Sequence, residues 1–449
     1  MSDISHNLND MQIQIYNAIL EGRNVFFTGS AGTGKSFLLK YIIERFVDSD
    51  LYITSSTGIT ALQLGGTTLH SFAGVGLGTD SFPDLLYAVK KNGRAMKRLL
   101  SCKKLLIDEI SMIDNILFDK LELLARTLRC NNKPFGGIQL IVAGDFLQLP
   151  PVKGLLDSSE KGFIFLSPIW ESIFKPENCF LLQTVIRQSD SIFSEALNNI
   201  RIGIVSNDYF QIFNKCVNRN FSDSIIPTKL YSTRLEVDVE NYTELLKLPE
   251  ESIHKYNAFD SGIQYYINIL QNNCIARDDL ELRIGAQVML IKNINSELVN
   301  GSRGVVIDFV EIVEDNGIQI TIIDPNFIKL NKCETVNMQY PVVKFTNGTV
   351  ITMTPEVWEI KVGKKILAYR IQIPLILAWA LTIHKCQGMT LDRVILDLNN
   401  IFEYGQMYVS LSRVRNLEGL CILDSFPVHK IKAHPQALCY YKLLELYKK

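Results

Sequence analysis

Gly29-Ser30-Ala31-Gly32-Thr33-Gly34-Lys35-Ser36 constrains this sequence more than any other stretch. Three glycines and small residues between them describe a loop whose backbone can curl tightly. Asn24-Val25-Phe26-Phe27-Thr28 runs into it as a short apolar segment, read as a buried strand. Ser36-Phe37-Leu38-Leu39-Lys40-Tyr41-Ile42-Ile43 runs out with apolar residues at helical spacing. The eight residues fit G-x-x-x-x-G-K-[ST], the phosphate-binding loop of nucleoside triphosphatases. Backbone N–H groups of such a loop surround phosphate oxygens, and the following helix adds the positive end of its dipole. Lys35 is placed to reach the β- and γ-phosphates, and the Ser36 hydroxyl to sit on Mg²⁺. A chance match in a chain of this length is an event of about one or two in a hundred.

Other segments fit the same sheet. Leu51-Tyr52-Ile53-Thr54 reads as a second strand, Leu105-Leu106-Ile107-Asp108-Glu109 as a third, and Ile138-Gln139-Leu140-Ile141-Val142-Ala143 as a fourth. Strands alternating with helical stretches imply an α/β fold with a parallel sheet and crossover helices. At the C-terminal edge of that sheet Asp108 is placed to hold the water shell of Mg²⁺, and Glu109 to orient or deprotonate the attacking water. Asn9 is expected to cap an amphipathic helix carrying Met11, Ile15, Ala18 and Ile19, with Gln12 near its start. The stretch 55–72 is rich in hydroxyls and glycine; it suits contact with phosphates, its aromatic with a base, and equally a turn-rich loop, with His70 equally a structural histidine. Lys90, Lys91, Arg94, Lys97, Arg98, Lys103 and Lys104 form the densest basic cluster, read in the first instance as a solvated helix face. From Leu280 to Phe345 the texture turns to short β segments, with hairpin signals at Asn300-Gly301 and Asn347-Gly348. The residues from Pro435 onward read as a closing helix.

Size and composition set the frame for these motifs. With 449 residues the chain is expected to hold more than one domain. A formal net charge of −1 gives no global signal for a polyanionic partner, so any such surface is local. Nine scattered cysteines without a C-x-x-C pair argue for reduced thiols and against a structural zinc site. No apolar run has membrane-spanning length, and Met1 stands too close to the first amphipathic segment to leave room for a targeting peptide. The expected location is therefore intracellular, nucleus or cytoplasm, and the compact length is compatible with a viral or bacterial source.

Taken in order, these stretches resemble the Pif-type (petite integration frequency) DNA helicases of superfamily one, group B, over nearly the whole chain. The stretch 8–12 resembles the family's Q motif. Thr57-Gly58-Ile59-Thr60-Ala61 with the block from Gly65 to Phe72 resembles motif Ia and the segment after it. Asp108-Glu109-Ile110-Ser111-Met112 resembles motif II, and Gly144-Asp145-Phe146-Leu147-Gln148-Leu149-Pro150-Pro151 motif III. The segment from Phe118 to Gln139 resembles the family signature. Val185-Ile186-Arg187-Gln188 resembles motif IV, Thr382-Ile383-His384-Lys385-Cys386-Gln387-Gly388 motif V, and Tyr408-Val409-Ser410-Leu411-Ser412-Arg413 motif VI. Ser55-Ser56, Ile186 and Ala143 depart from the usual residues, none in a charged catalytic role.

The resemblance implies an ATP- and Mg²⁺-dependent motor of two RecA-like lobes. Residues 1–190 are expected to form the first lobe, with a strand-splitting wedge at about 72–95; residues 191–279 and 373–449 the second; and residues 280–372 an SH3-like β-barrel. It implies that Gln12 reads adenine, that Gly29, Ser30, Ala31, Gly32, Thr33, Gly34, Lys35 and Ser36 hold the nucleotide, and that Asp108 joins Ser36 at the metal. Lys35, Glu109, Gln148, Arg187 and Arg413 are the implied catalytic residues, Gln148 sensing the γ-phosphate and the two arginines reaching it across the cleft. Thr57, Thr68, His70, Phe72, Thr382, His384 and Lys385 are the implied contacts to single-stranded DNA. Movement 5′-to-3′, unwinding of forked DNA, roles in replication, repair, recombination or telomere maintenance, a monomer in solution and single-strand-binding or replication proteins as partners follow from the same resemblance. A RecD-like recombination helicase, an RNA helicase and an ATP-dependent clamp without unwinding stay open as alternatives.

Overall fold

The computed structural model describes residues 8–46, 50–76, 78–151, 161–184, 190–221, 227–292, 294–295, 298, 300–311, 339–362, 365–383, 386, 391 and 393–446. The first lobe is built on six parallel strands: β1 Val25–Gly29, β2 Leu51–Ser55, β3 Thr67–Thr68, β4 Lys104–Asp108, β5 Gln139–Ala143 and β6 Cys179–Leu182. Their spatial order is β3-β2-β4-β5-β1-β6. The central strands are apolar on both faces because helices cover both. Alternation along β1 shows this directly. Val25 and Phe27 join Ile15, Leu38, Leu39 and Ile141 in one core, and Phe26 joins Leu105, Leu140, Val142 and Trp170 in the other.

Helix α1, Asp10–Leu20, begins where Asn9 and Gln12 form a reciprocal capping box. Helix α2, Lys35–Arg45, leaves the glycine loop through Gly34 at φ 86°. The strand order decides the position of the chemistry. β5 lies between β1 and β4, so the loops that leave these three strands emerge side by side at one edge of the sheet. The segment resembling the family signature begins in a helix, Asn115–Arg129, which ends on a fixed structural cation, and continues through the turn Pro134–Gly137 to the start of β5. Arg129 donates to the carbonyls of Leu99, Leu100 and Cys102 at 2.7, 2.9 and 3.0 Å, closing the end of the helix Gly93–Ser101.

The second lobe carries a four-stranded parallel sheet in the order Ala380–Thr382, Thr228–Tyr231, Val394–Leu396, Leu420–Ile422. A separate antiparallel sheet of five strands runs Val350–Thr352, Gln339–Phe345, Arg303–Glu311, Gln287–Leu290, Leu375–Leu377. Gly301 and Gly348 hold φ of 98° and 86° at the two Asn-Gly pairs, in the left-handed region that favours glycine. No helix among the described residues is long and apolar enough to cross a membrane.

Three boundaries differ from the sequence expectation. The antiparallel unit begins before residue 280: His254–Asn257 pairs with Asp279–Leu282, and Tyr256 and Leu282 lie in the same core as Val288 and Val306. The strand His254–Asn257 carries mostly polar residues, which masks it in the sequence. The hairpin Glu356–Val362 with Lys365–Gln372 pairs instead with Phe259–Gly262, and its Trp358, Ile360 and Ala368 join the core of the second lobe. The final helix, Pro435–Leu446, was grouped with the second lobe by its position in the chain. It packs on the first: Ala437, Tyr441 and Leu444 share a core with Phe26, Val142 and Trp170.

Candidate active site between the lobes

The phosphate loop leaves β1 in a conformation that depends on its glycines. Gly32 and Gly34 stand at φ 83° and 86°, where a side chain is strained. A Cβ on Gly29 would lie 2.6 Å from the Leu182 carbonyl of the neighbouring strand. The Lys35 Nζ donates to the carbonyls of Gly29 and Ser30 at 2.7 and 3.0 Å, folded over its own loop. Burial pushes the Lys35 pKa down, against the fields of Asp145, Glu109 and Asp108, which favour the charged form. Ser36 is exposed at the start of α2.

The carboxylates expected beside this loop are there. Asp108 ends β4 nearly buried, and one of its oxygens accepts the Glu109 N–H at 2.8 Å. Burial, then the charge of Glu109, pushes the Asp108 carboxyl up to about 7. Glu109 itself holds φ 50°, a left-handed conformation that costs a non-glycine residue on the order of 1–3 kcal/mol. The oxygen donors Ser36 and Asp108 fit a hard cation such as Mg²⁺, which takes few protein ligands beside phosphates and water. Gln12 is 1% exposed; its Oε1 accepts the Asn9 N–H at 3.0 Å, while its Nε2 is buried with no hydrogen-bond partner among the described residues. An unsatisfied buried amide donor fits an acceptor on a bound base.

Arg413 comes from the second lobe, just past the helix Gln406–Leu411. It is 1% exposed, and its guanidinium donates to the carbonyls of Val409 and Cys386 at 2.7 and 3.0 Å and to the Ser412 hydroxyl at 2.7 Å. Burial lowers its pKa, and the field of Glu109 opposes this, which places the two groups within electrostatic reach. Arg187, His384 and Lys385 lie outside the described residues.

The expected DNA contacts are less uniform. Thr57 and Thr60 share a hydrogen bond at 2.6 Å, and Thr68 caps the helix Leu69–Ala73 by accepting the Ser71 N–H at 3.2 Å. Thr382 ends its strand buried. His70 is half-buried, and desolvation lowers its pKa. Phe72 does not stand at a surface where a base could stack. It is 2% exposed, packed 5.2 Å from the Tyr52 ring, because Leu69, Phe72 and Ala73 form the apolar stripe of one short helix. Arg98 likewise leaves the solvated face expected for the basic cluster. It is 7% exposed and donates to the carbonyls of Phe72 and Ser71 at 2.9 and 2.7 Å and to the Tyr266 hydroxyl at 2.7 Å.

Four residues of the site had no role in the sequence reading. Asp145 is fully buried and takes two charge-assisted bonds from Arg201, at 2.9 and 2.7 Å. Arg201 ends the helix Ser191–Arg201, whose Phe193, Leu197 and Ile200 lie in the core of the second lobe, so this pair joins the two lobes. Tyr441 donates to the same carboxylate at 2.9 Å and receives the Phe146 N–H at 3.2 Å. The Gln148 Nε2 reaches it at 3.3 Å. Tyr408 accepts the N–H of Ala31, in the phosphate loop, at 2.6 Å. A residue's type signals a charge or a hydroxyl; it does not signal a partner more than fifty positions away.

Two outcomes follow. Arg201→Ala leaves the Asp145 carboxylate buried without its cation, and is expected to destabilise the protein by about 3–5 kcal/mol in chemical denaturation. Replacing both partners, Asp145→Asn with Arg201→Met, is expected to cost less than Arg201→Ala alone. For Asp108, a folded pKa raised above its unfolded value makes ionisation a cost to stability that grows as pH rises from about 4 to 7. Metal binding needs the ionised form. Mg²⁺-nucleotide affinity is therefore expected to strengthen by up to about tenfold between pH 6 and 8 beyond the change seen in Asp108→Asn, read by titration calorimetry.

Comparison with known proteins identifies the family. A family model described as PIF1-like helicase matches residues 7–208, and one described as the 2B domain of DNA helicase Pif1 matches residues 265–309. The ATP-dependent DNA helicase PIF1 of Xenopus laevis is 41% identical over 441 residues, which cover 98% of this chain and 64% of that protein. This chain thus spans just under two thirds of the length of that relative. The crystal structure of Pif1 helicase from Candida albicans is 40% identical, with a TM-score of 0.74, over 97% of this chain and 99% of that one. The Bacteroides Pif1 crystal structure in complex with ADP-AlF3 and ssDNA is 28% identical, with a TM-score of 0.62, over 98% of this chain and 97% of that one. On sequence identity and fold together, the chain belongs to the Pif1 helicase family.

Proposed function

We propose that this chain is an ATP-dependent DNA helicase that moves 5′-to-3′ along single-stranded DNA and separates duplex at a fork. The observation that carries the reading is the meeting of charges from two lobes at one cleft: Lys35, Asp108, Glu109 and Asp145 from the first, Arg201 and Arg413 from the second. The loop N–H groups and Lys35 bind the triphosphate, and the Gln12 Nε2 reads the adenine edge. Ser36 and Asp108 would hold Mg²⁺, which supplies charge neutralisation between the phosphates. Glu109 takes the proton of the attacking water. Gln148 and Arg413 act on the transferred phosphoryl group, with Arg187 as a second finger. Such arginines contribute on the order of 10³–10⁵ in rate in other phosphoryl-transfer systems.

In the present geometry Lys35 and Arg413 are both held by backbone carbonyls. Both must exchange these partners to serve a nucleotide, which ties hydrolysis to movement of the cleft. Thr57, Thr68, Thr382, His384 and Lys385 grip the single strand, chiefly by its phosphates, so sequence preference is low. The hydroxyls of Thr57 and Thr68 change partners to do so. The segment at 72–95 serves as the wedge, and the antiparallel sheet as the SH3-like element. The related Bacteroides structure, bound to ADP-AlF3 and ssDNA, supports the pairing of nucleotide and single strand. Function as a monomer inside the cell, in replication, repair, recombination or telomere maintenance, fits the same reading.

Unwinding of duplexes bearing a 5′ tail, a 3′ tail or a fork, in DNA and in RNA, tests the proposal. The expected result is unwinding of DNA with a 5′ tail or fork, absent in Lys35→Ala, which retains single-strand binding. ATP turnover without unwinding of any substrate would favour the clamp, and equal action on RNA the RNA helicase. Turnover in Lys35→Ala equal to the parent would remove the phosphate loop from the mechanism.

A further inference from the structure

The helix Gln406–Leu411 delivers Arg413, and it touches the first lobe at two points. Gly405, at its N-terminus with φ 72°, comes so near that a Cβ would lie 2.2 Å from the Gln148 carbonyl oxygen and 2.7 Å from that of Leu147. One turn later the Tyr408 hydroxyl accepts the Ala31 N–H at 2.6 Å. Tyr408 is 2% exposed, so this contact is sheltered from water. Burial and the nearby Asp145 charge push its phenol up to about 12, which keeps the hydroxyl neutral.

From Tyr408 to the guanidinium the path is short and hydrogen-bonded throughout. The Tyr408 carbonyl accepts the Ser412 N–H at 2.9 Å. The Val409 carbonyl accepts both the Ser412 hydroxyl at 3.0 Å and the Arg413 Nε at 2.7 Å. A displacement of Tyr408 is thereby passed to Arg413 through backbone rather than through a flexible side chain. N–H groups of a phosphate loop ordinarily serve phosphates. Here one of them holds a side chain of the opposite lobe, on the element that carries the arginine.

We propose that Tyr408 is a positioning residue for hydrolysis: its hydroxyl registers the helix bearing Arg413 against Ala31, so that reshaping of the phosphate loop by nucleotide moves the arginine. Tyr408 acts through Arg413 and need not touch the reacting atoms. The inference rests on the reading of Arg413 as a finger.

Tyr408→Phe removes one oxygen and keeps the ring. Three readouts test it: affinity for a fluorescent ADP, ATP turnover at saturating single-stranded DNA, and the same turnover in Arg413→Ala and in the double variant. The expected result is ADP affinity and KM for ATP within about twofold of the parent, with kcat lowered about tenfold. The double variant is expected to turn over within about twofold of Arg413→Ala alone, since two residues acting as a unit are not additive. Unchanged kcat in Tyr408→Phe overturns the proposal. So does a parallel loss of ADP affinity, which would mean that the hydroxyl shapes the loop itself, and so does an additive loss in the double variant. If Arg413→Ala alone turns over like the parent, the finger reading has failed, and that single variant shows it separately from the tyrosine.

Discussion

The Asp145–Arg201 pair crosses between the lobes with its carboxylate fully buried, and the rest of the cleft is arranged around that charge. A carboxylate out of water needs a cation and hydrogen bonds to its remaining lone pairs. Arg201 supplies the first from the second lobe. Tyr441, from the last helix of the chain, supplies one of the second at 2.9 Å, and Gln148 lies at 3.3 Å. The Arg201 guanidinium also lies 4.8 Å from the centre of the Tyr441 ring. Two distant segments, the helix of Arg201 and the last helix, are in this way fixed to the loop that follows β5. Lys35 and Tyr408 both feel this carboxylate, which extends its influence to the phosphate loop and to the helix before Arg413.

Around that pivot several groups of the site are held in costly arrangements. Glu109 is held in a left-handed conformation, the Gln12 Nε2 is buried with no hydrogen-bond partner among the described residues, Lys35 bonds to carbonyls of its own loop, and Arg413 to those of Val409 and Cys386. On the proposed function, hydrolysis belongs to the closed cleft rather than to either lobe.

Part of this was legible in the sequence because local rules sufficed. The phosphate loop needs its glycines at fixed short spacing, and Asn9 announced a helix cap, though the reciprocal bond that Gln12 returns is seen only in the structure. The apolar runs of β1, β4 and β5 read as buried strands, which placed Asp108 at the edge of the sheet, while Gln148 was expected there only from the resemblance to motif III. What was not legible depends on distant contacts. Phe72 reads as an aromatic beside hydroxyls, and only the packing against Tyr52 shows it to be core. Arg98 is one of seven basic residues by sequence, and only the carbonyls of Ser71 and Phe72 single it out. The last helix belongs by position to the second lobe, yet Tyr441 and Leu444 pack in the first. The strand His254–Asn257 alternates too weakly to be seen until its partner Asp279–Leu282 is in place.

On the proposed function, single-stranded DNA and nucleotide act on one cleft, so that gripping the strand brings Arg413 to the phosphates held by Lys35. Steady-state ATP turnover of the intact chain, titrated with single-stranded DNA at saturating Mg²⁺-ATP, tests it most directly. The account predicts that turnover rises by about tenfold or more as the strand binds, since the finger engages only on closure. Turnover that is the same with and without DNA, at strand concentrations where binding is complete, would contradict it.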